Sequence, residues 1–142
     1  MSLEELLRSR IIRRIKPDRK LAVDSLRRAS RDVETARTLI ENEKFDWSLA
    51  VSYNAILQAG RALMYSQGYR PSSTEGHIAV VRFLQTSNEA EIRDKMTMVL
   101  DGMRKKRQRI VYEEMDIVSK EEAEQALKWA EEFVKIIHGE IN

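Results

Sequence analysis

The 142-residue chain has no cysteine, two histidines, two prolines and five glycines, and aromatic residues make up only 6% of it. Without cysteine there is no disulfide framework and no thiolate site. His77 and His138 alone are too few imidazoles for a structural zinc centre. Glycine-rich phosphate loops are absent too, so no metal and no cofactor is expected. No long apolar run occurs, and Glu4 and Glu5 precede the basic cluster near the N-terminus, which argues against both a membrane span and a signal peptide. A soluble, cytoplasmic protein is the expectation. So few helix breakers, with no sustained alternation of apolar and polar side chains, predict helix throughout and no strand.

What is there reads as a single domain preceded by a short basic segment: residues 1–16 as an accessory helix, 17–142 as a helical bundle. The accessory helix, about 2–15, carries Leu3, Leu6, Leu7, Ile11 and Ile15 among Arg8, Arg10, Arg13, Arg14 and Lys16. An anionic membrane or a nucleic acid is conceivable for it, but there is no aromatic anchor, and docking on the bundle accounts for the same pattern. Asp18 then caps a helix to about 42 with a seam of Ala22, Leu26, Ala29, Val33, Ala36 and Ile40. The next, about 46–67, stacks Leu49, Ala50, Tyr53, Ile56, Leu57, Gly60, Leu63 and Met64 before a stop at Gly68. Residues 69–74 read as a loop. Three capping boxes, Ser72 with Glu75, Asn88 with Glu91 and Ser119 with Glu122, predict helices over about 74–85, from 89 to 114, and to the C-terminus. Four of these are of bundle length, so the expected fold is all-α, an up-and-down four-helix bundle with short accessory helices.

Charge is uneven. Residues 1–31 hold ten Lys/Arg against four Asp/Glu, whereas residues 112–142 hold three Lys against nine Asp/Glu. Within the 89–114 helix, Ile92, Met96, Val99 and Met103 form an apolar stripe whose next members in phase are Lys106 or Arg107, then Ile110. The run Arg104-Lys105-Lys106-Arg107-Gln108-Arg109 thus puts charge where a core residue is due. Burying that charge dry and unpaired is costly, so the helix either leaves the core here or turns its cations to a wet cleft or a subunit seam. Paired carboxylates such as Glu113-Glu114, Glu121-Glu122 and Glu131-Glu132 are adjacent, splay around their helices, and read as solvated faces.

Two blocks, residues 50–64 from Ala50 to Met64 with Gly68 behind them, and Gly76-His77 leading to Phe83, resemble HEPN domains, small helical bundles named for nucleotide binding in higher eukaryotes and prokaryotes. The likeness covers about residues 20–138. It implies a homodimer, a nucleotide or RNA as ligand, and in some members a toxin–antitoxin pairing with a nucleotidyltransferase. The nuclease members cleave RNA without metal, using an Arg and, after four intervening residues, a His, at the dimer interface. A related branch has Asp-Tyr at the end of that motif. On this chain the motif falls at Arg107-Gln108-Arg109-Ile110-Val111-Tyr112, which keeps the Arg, places Tyr112 at the His position and Val111 at the Asp position.

A tyrosine with a pKa of about 10 is a poor general base at neutral pH, which argues against cleavage by the family route. Phosphate binding by Arg107 does not need the His, and Arg104, Gln108 and Tyr112, spaced by four, share a helix face on which Tyr112 could stack on a base. Arg107 and Tyr112 are about 140° apart around an undistorted helix and do not share a face. The leading expectation is a nucleotide- or RNA-phosphate-binding module. A ribonuclease with a degenerate Arg107-x4-Tyr112 site and a purely structural dimeric adaptor are the alternatives. Tyr53, His77 and His138 read as packing or helix-end residues.

Overall fold

A computed structural model of the chain describes residues 1–72 and 76–142. Four long helices make the bundle: α2 (Arg19–Glu41), α3 (Phe45–Gln67), α5 (Thr97–Tyr112) and α6 (Lys120–Ile141), with the short helix α4 (Gly76–Leu84) against α3 and α5 and the short helix α1 (Leu3–Arg8) against α4. α3 is the centre. It packs on α2, α5 and α6, and buries most of its length, from Ser48 and Leu49 through Tyr53 and Ile56 to Leu63 and Met64, leaving a narrow polar stripe of Asn54, Gln58 and Arg61. A helix with so wide an apolar surface has to be covered by several neighbours, and these three cover it. α2 contributes a narrow stripe of Ala22, Leu26, Ala29, Val33 and Ala36, and α6 one of Ala123, Leu127, Ala130, Phe133 and Ile137. The small residues on these stripes bring the backbones close enough for the buried Ser48 hydroxyl to donate to Ala36 O at 2.8 Å.

The ends of the long helices follow their caps. Asp18 accepts from Leu21 N at 2.9 Å to open α2, and Gly68 closes α3 in the left-handed region at φ 90°. Ser119 and Glu122 form a full capping box on α6. The Ser72–Glu75 box lies outside the described residues. The Asn88–Glu91 box does not form. There Ser87 Oγ accepts from Glu89 N at 3.1 Å, and the chain enters a π-helical turn, Glu91–Met96, before α5. Thr97 lies at the join, its hydroxyl donating to Arg93 O at 2.6 Å. Between α5 and α6, Asp46 from the first turn of α3 accepts from the backbone N–H groups of Asp116, Ile117 and Val118 at 2.7, 3.2 and 3.0 Å, tying the connection back to the bundle.

Two expectations fail at the N-terminus, where a helix to about 15 and the absence of strands were predicted. α1 ends at Arg8, Arg10 turns into the left-handed region at φ 60°, and β1 (Ile12–Arg14) pairs antiparallel with β2 (Tyr69–Pro71). The 69–74 loop therefore begins as a strand. β-branched Ile11, Ile12 and Ile15 favour extended backbone, and Pro17 disfavours helix at the residue before it. The isoleucines at 11 and 15 fit a helical stripe by spacing, yet Ile12 is the one that is buried, at 1% exposure, because strand side chains alternate faces.

Close approach of α4 to α3 depends on Gly60. A methyl group there would lie 2.5 Å from Val80 Cγ1 and 3.2 Å from Leu84 Cδ1, both buried. Gly60→Ala is expected to destabilise the fold by about 1–3 kcal/mol through overpacking, read as a lower urea midpoint at unchanged slope.

Candidate anion-binding cleft

α5 carries its stripe Val99, Leu100 and Met103 into the core and then changes character one turn later. Lys106 and Arg107, the residues in phase with that stripe, are both half-buried and diverge. Lys106 reaches α6 and pairs with Glu122 at 3.3 Å. Arg107 turns to α3, where its guanidinium lies over the Tyr53 ring, 5.8 Å from the centroid. A cation over an aromatic face is worth about 0.5–2 kcal/mol. No carboxylate pairs with Arg107 among the described residues, so its hydrogen-bonding edge keeps its capacity for an anion.

Arg104, one turn back, is held by Asp101 at 3.3 Å. Its hydrogen bond, with that of Lys105, keeps the Asp101 carboxyl below its ordinary range despite some burial. Burial pushes the Tyr53 phenol above its ordinary value, while Arg107, Arg104 and Arg61 pull it down and Asp101 pushes it up. Three guanidiniums therefore act electrostatically on one phenol. Arg61, from α3, sits beside Gly76 at the start of α4: a side chain on Gly76 would come within 3.1 Å of Arg61 Nη2. His77 follows, and with Ile78, Val81 and Arg82 it faces Thr97, Asp101 and Arg104 across a groove of about 610 Å³.

Tyr53, Arg61, Gly76, His77, Arg104 and Arg107 are thus brought to one region between α3, α4 and α5. Gln108 and Tyr112 are not. Gln108 is exposed, Tyr112 is 71% exposed at the last turn of α5, and among the described residues no hydrogen bond or ring contact joins Tyr112 to Arg107. The π-helical turn lies upstream of both, so it does not bring them onto one face. Arg109 bonds Glu114 of its own chain at 3.3 Å. Tyr53 was read as a packing residue because its spacing on α3 fits the core, where it does lie, and Arg61 was not singled out. An arginine inside that otherwise apolar block was the available signal.

The HEPN domain family model matches residues 22–140. The chain belongs to the HEPN domain family. Among curated proteins and solved structures, none matches it. The matched region runs from the first turn of α2 to the last turn of α6 and leaves α1 and β1 ahead of it. No helix among the described residues is long and apolar enough to cross a membrane.

The phenol gives a pH signature. Since the folded pKa of Tyr53 lies above the unfolded value of about 10, the folded state retains a proton that the unfolded state releases. The stabilisation is full below about pH 10 and is lost as pH rises through the folded pKa. Urea midpoints should decline above about pH 10, and Tyr53→Phe should flatten the decline; equal declines in the two proteins would assign it to other groups.

Proposed function

We propose that this HEPN domain binds a nucleotide or an RNA phosphate in the cleft between α3, α4 and α5. One observation carries the reading: Arg107 rests on Tyr53 without a carboxylate partner among the described residues, and Arg104 and Arg61 act on the same phenol. Guanidiniums offer paired donors that match phosphate oxygens, and the Tyr53 phenol, protonated at neutral pH as any tyrosine is, adds another donor. Asp101 keeps Arg104 oriented toward the groove. Gln108 and Tyr112 stand further along α5 and serve this reading as outer contacts to a base or ribose.

Cleavage by an Arg107/Tyr112 pair is the weaker reading. Within one chain the two residues point to different sides of α5, and only a partner protomer could bring the phenol of one to the arginine of the other. Homodimerisation is part of the proposal. An apolar groove of about 550 Å³ between α5 and α6, with Met98 69% exposed beside Trp129 and Gly102, supports a second copy packing next to the basic run. A nucleotidyltransferase as toxin–antitoxin partner and a cytoplasmic setting complete the reading. The structural adaptor is what remains if the cleft takes no anion.

Arg107→Ala is expected to weaken binding of a fluorescently labelled RNA trinucleotide by about tenfold or more, since a charged hydrogen bond to phosphate contributes about 1.5–3 kcal/mol. Its melting temperature should stay within a few degrees, and unchanged affinity removes the reading. Incubated with labelled RNA in chelator, the protein is expected to leave it intact; cleavage lost in Tyr112→Phe would instead establish the nuclease.

A further inference from the structure

Of the 25 Lys/Arg, eight, Arg37, Arg93, Lys95, Arg104, Lys105, Lys106, Arg109 and Lys120, each meet a carboxylate. Among the described residues none of the ten Lys/Arg of residues 1–31 does so, and neither do Arg70 and six cations elsewhere. Five of the ten, Arg8, Arg10, Arg13, Arg14 and Lys16, are exposed within one stretch of nine residues at α1 and β1.

The ribbon aligns two of these cations directly. Register sets Arg13 opposite Arg70, with Ile12 opposite Pro71 and Arg14 opposite Tyr69. Ser72 N donates to Ile11 O at 3.1 Å and Ile15 N to Gly68 O at 2.9 Å, so the ladder continues one pair beyond each end and the register is pinned. Alternation then puts Ile12 and Arg14 on the core side and Arg13 with Arg70 on the other. Arg14 is used structurally: it lies 5.4 Å over the Tyr69 ring and donates to its hydroxyl at 3.3 Å, while Tyr69 packs on Phe83 of α4 with ring centroids 5.5 Å apart. Among the described residues Arg13 and Arg70 have no such use and meet no carboxylate. Like charges directly opposite across a ladder destabilise it. A bound anion would relieve that repulsion.

We infer that the outer face of the β1–β2 ribbon, centred on Arg13 and Arg70 and extended by Arg10 and Lys16, is a second anion-binding surface that receives the phosphate backbone of an RNA strand. The inference rests on the proposed function for RNA as the polyanion, and on residues separate from the cleft. A lipid surface is a poorer occupant, because Leu6 and Ile12 are buried and the ribbon presents no aromatic anchor outward. Arg10, Arg13 and Lys16 precede the matched HEPN region, whereas Arg70 lies within it.

The test uses the full chain, a labelled RNA trinucleotide that reports on the cleft, and a labelled 20-nucleotide single strand long enough to reach the ribbon. Arg13→Gln with Arg70→Gln should weaken the 20-mer about tenfold, lower the slope of log affinity against log salt by about 1.4, and leave the trinucleotide unchanged. Arg107→Ala should weaken both. A 20-mer bound no more tightly than the trinucleotide by the wild type, or unaffected by the double variant, overturns the ribbon while leaving the cleft standing. Failure of the wild type to bind either probe overturns both. Loss of sedimentation with phosphatidylserine-containing vesicles at unchanged RNA affinity assigns the surface to membranes and overturns the inference. Without ligand, Arg13→Gln alone should raise the melting temperature by about 1–3 °C as repulsion is relieved; a fall would show that the arginine holds the fold, and would overturn it too.

Discussion

Enclosure of α3 by its neighbours governs this molecule. Its residues from Ser48 to Met64 are apolar or small apart from a stripe of Asn54, Gln58 and Arg61, so the helix is stable only when α2, α5 and α6 pack around it and α4 closes over Gly60. That enclosure also makes the cleft. Tyr53 and Arg61 are carried by α3 itself, Arg104 and Arg107 by the helix packed on it, and Gly76 with His77 by the helix that Gly60 admits. The clustered cations and the core packing therefore share one scaffold, with Met103 as the last buried residue of α5 before the basic run begins.

The chemistry of the cleft follows from where charge is compensated and where it is not. Lys106, one residue from Arg107, is neutralised by Glu122 and acts as a strut between α5 and α6. Among the described residues Arg107 is compensated only by the quadrupole of a ring, a weak and non-competing partner that orients the guanidinium and leaves its donors. Asp101 treats Arg104 differently, fixing it by a hydrogen bond while remaining half-exposed. In the ribbon the contrast recurs: Arg14 is satisfied by Tyr69, and Arg13 and Arg70 face each other.

Much of the bundle was legible because its determinants are local. Asp18, Gly68 and Ser119 terminate helices through their own side chains or conformational freedom, and the four-three spacing of Ala22 to Ala36 and of Ala123 to Ile137 marks a buried face without reference to anything else. The N-terminal segment misled because Leu3, Leu7, Ile11 and Ile15 satisfy a helical period, while the partner that makes 12–14 a strand lies more than fifty residues away at 69–71. The start of α5 misled for a related reason. A Ser or Asn followed by an acidic residue three positions on is a cap only if the backbone turns there, and the π-helical turn chose Ser87 instead.

The basic run on α5 was read from sequence as a break in an apolar stripe, and that alone located Arg104 and Arg107. Which of its neighbours join them was not encoded nearby. Gln108 and Tyr112 share a helical face with Arg104 by spacing and end up exposed, whereas Tyr53 and Arg61 belong to another helix. Periodicity and caps act over a few residues, so the sequence by itself determined the helices, their buried faces and the family. The tertiary structure alone decided which cations find a carboxylate, which rest on a ring and which stand opposed, because those outcomes depend on side chains brought together only when α3 is enclosed and the ribbon pairs.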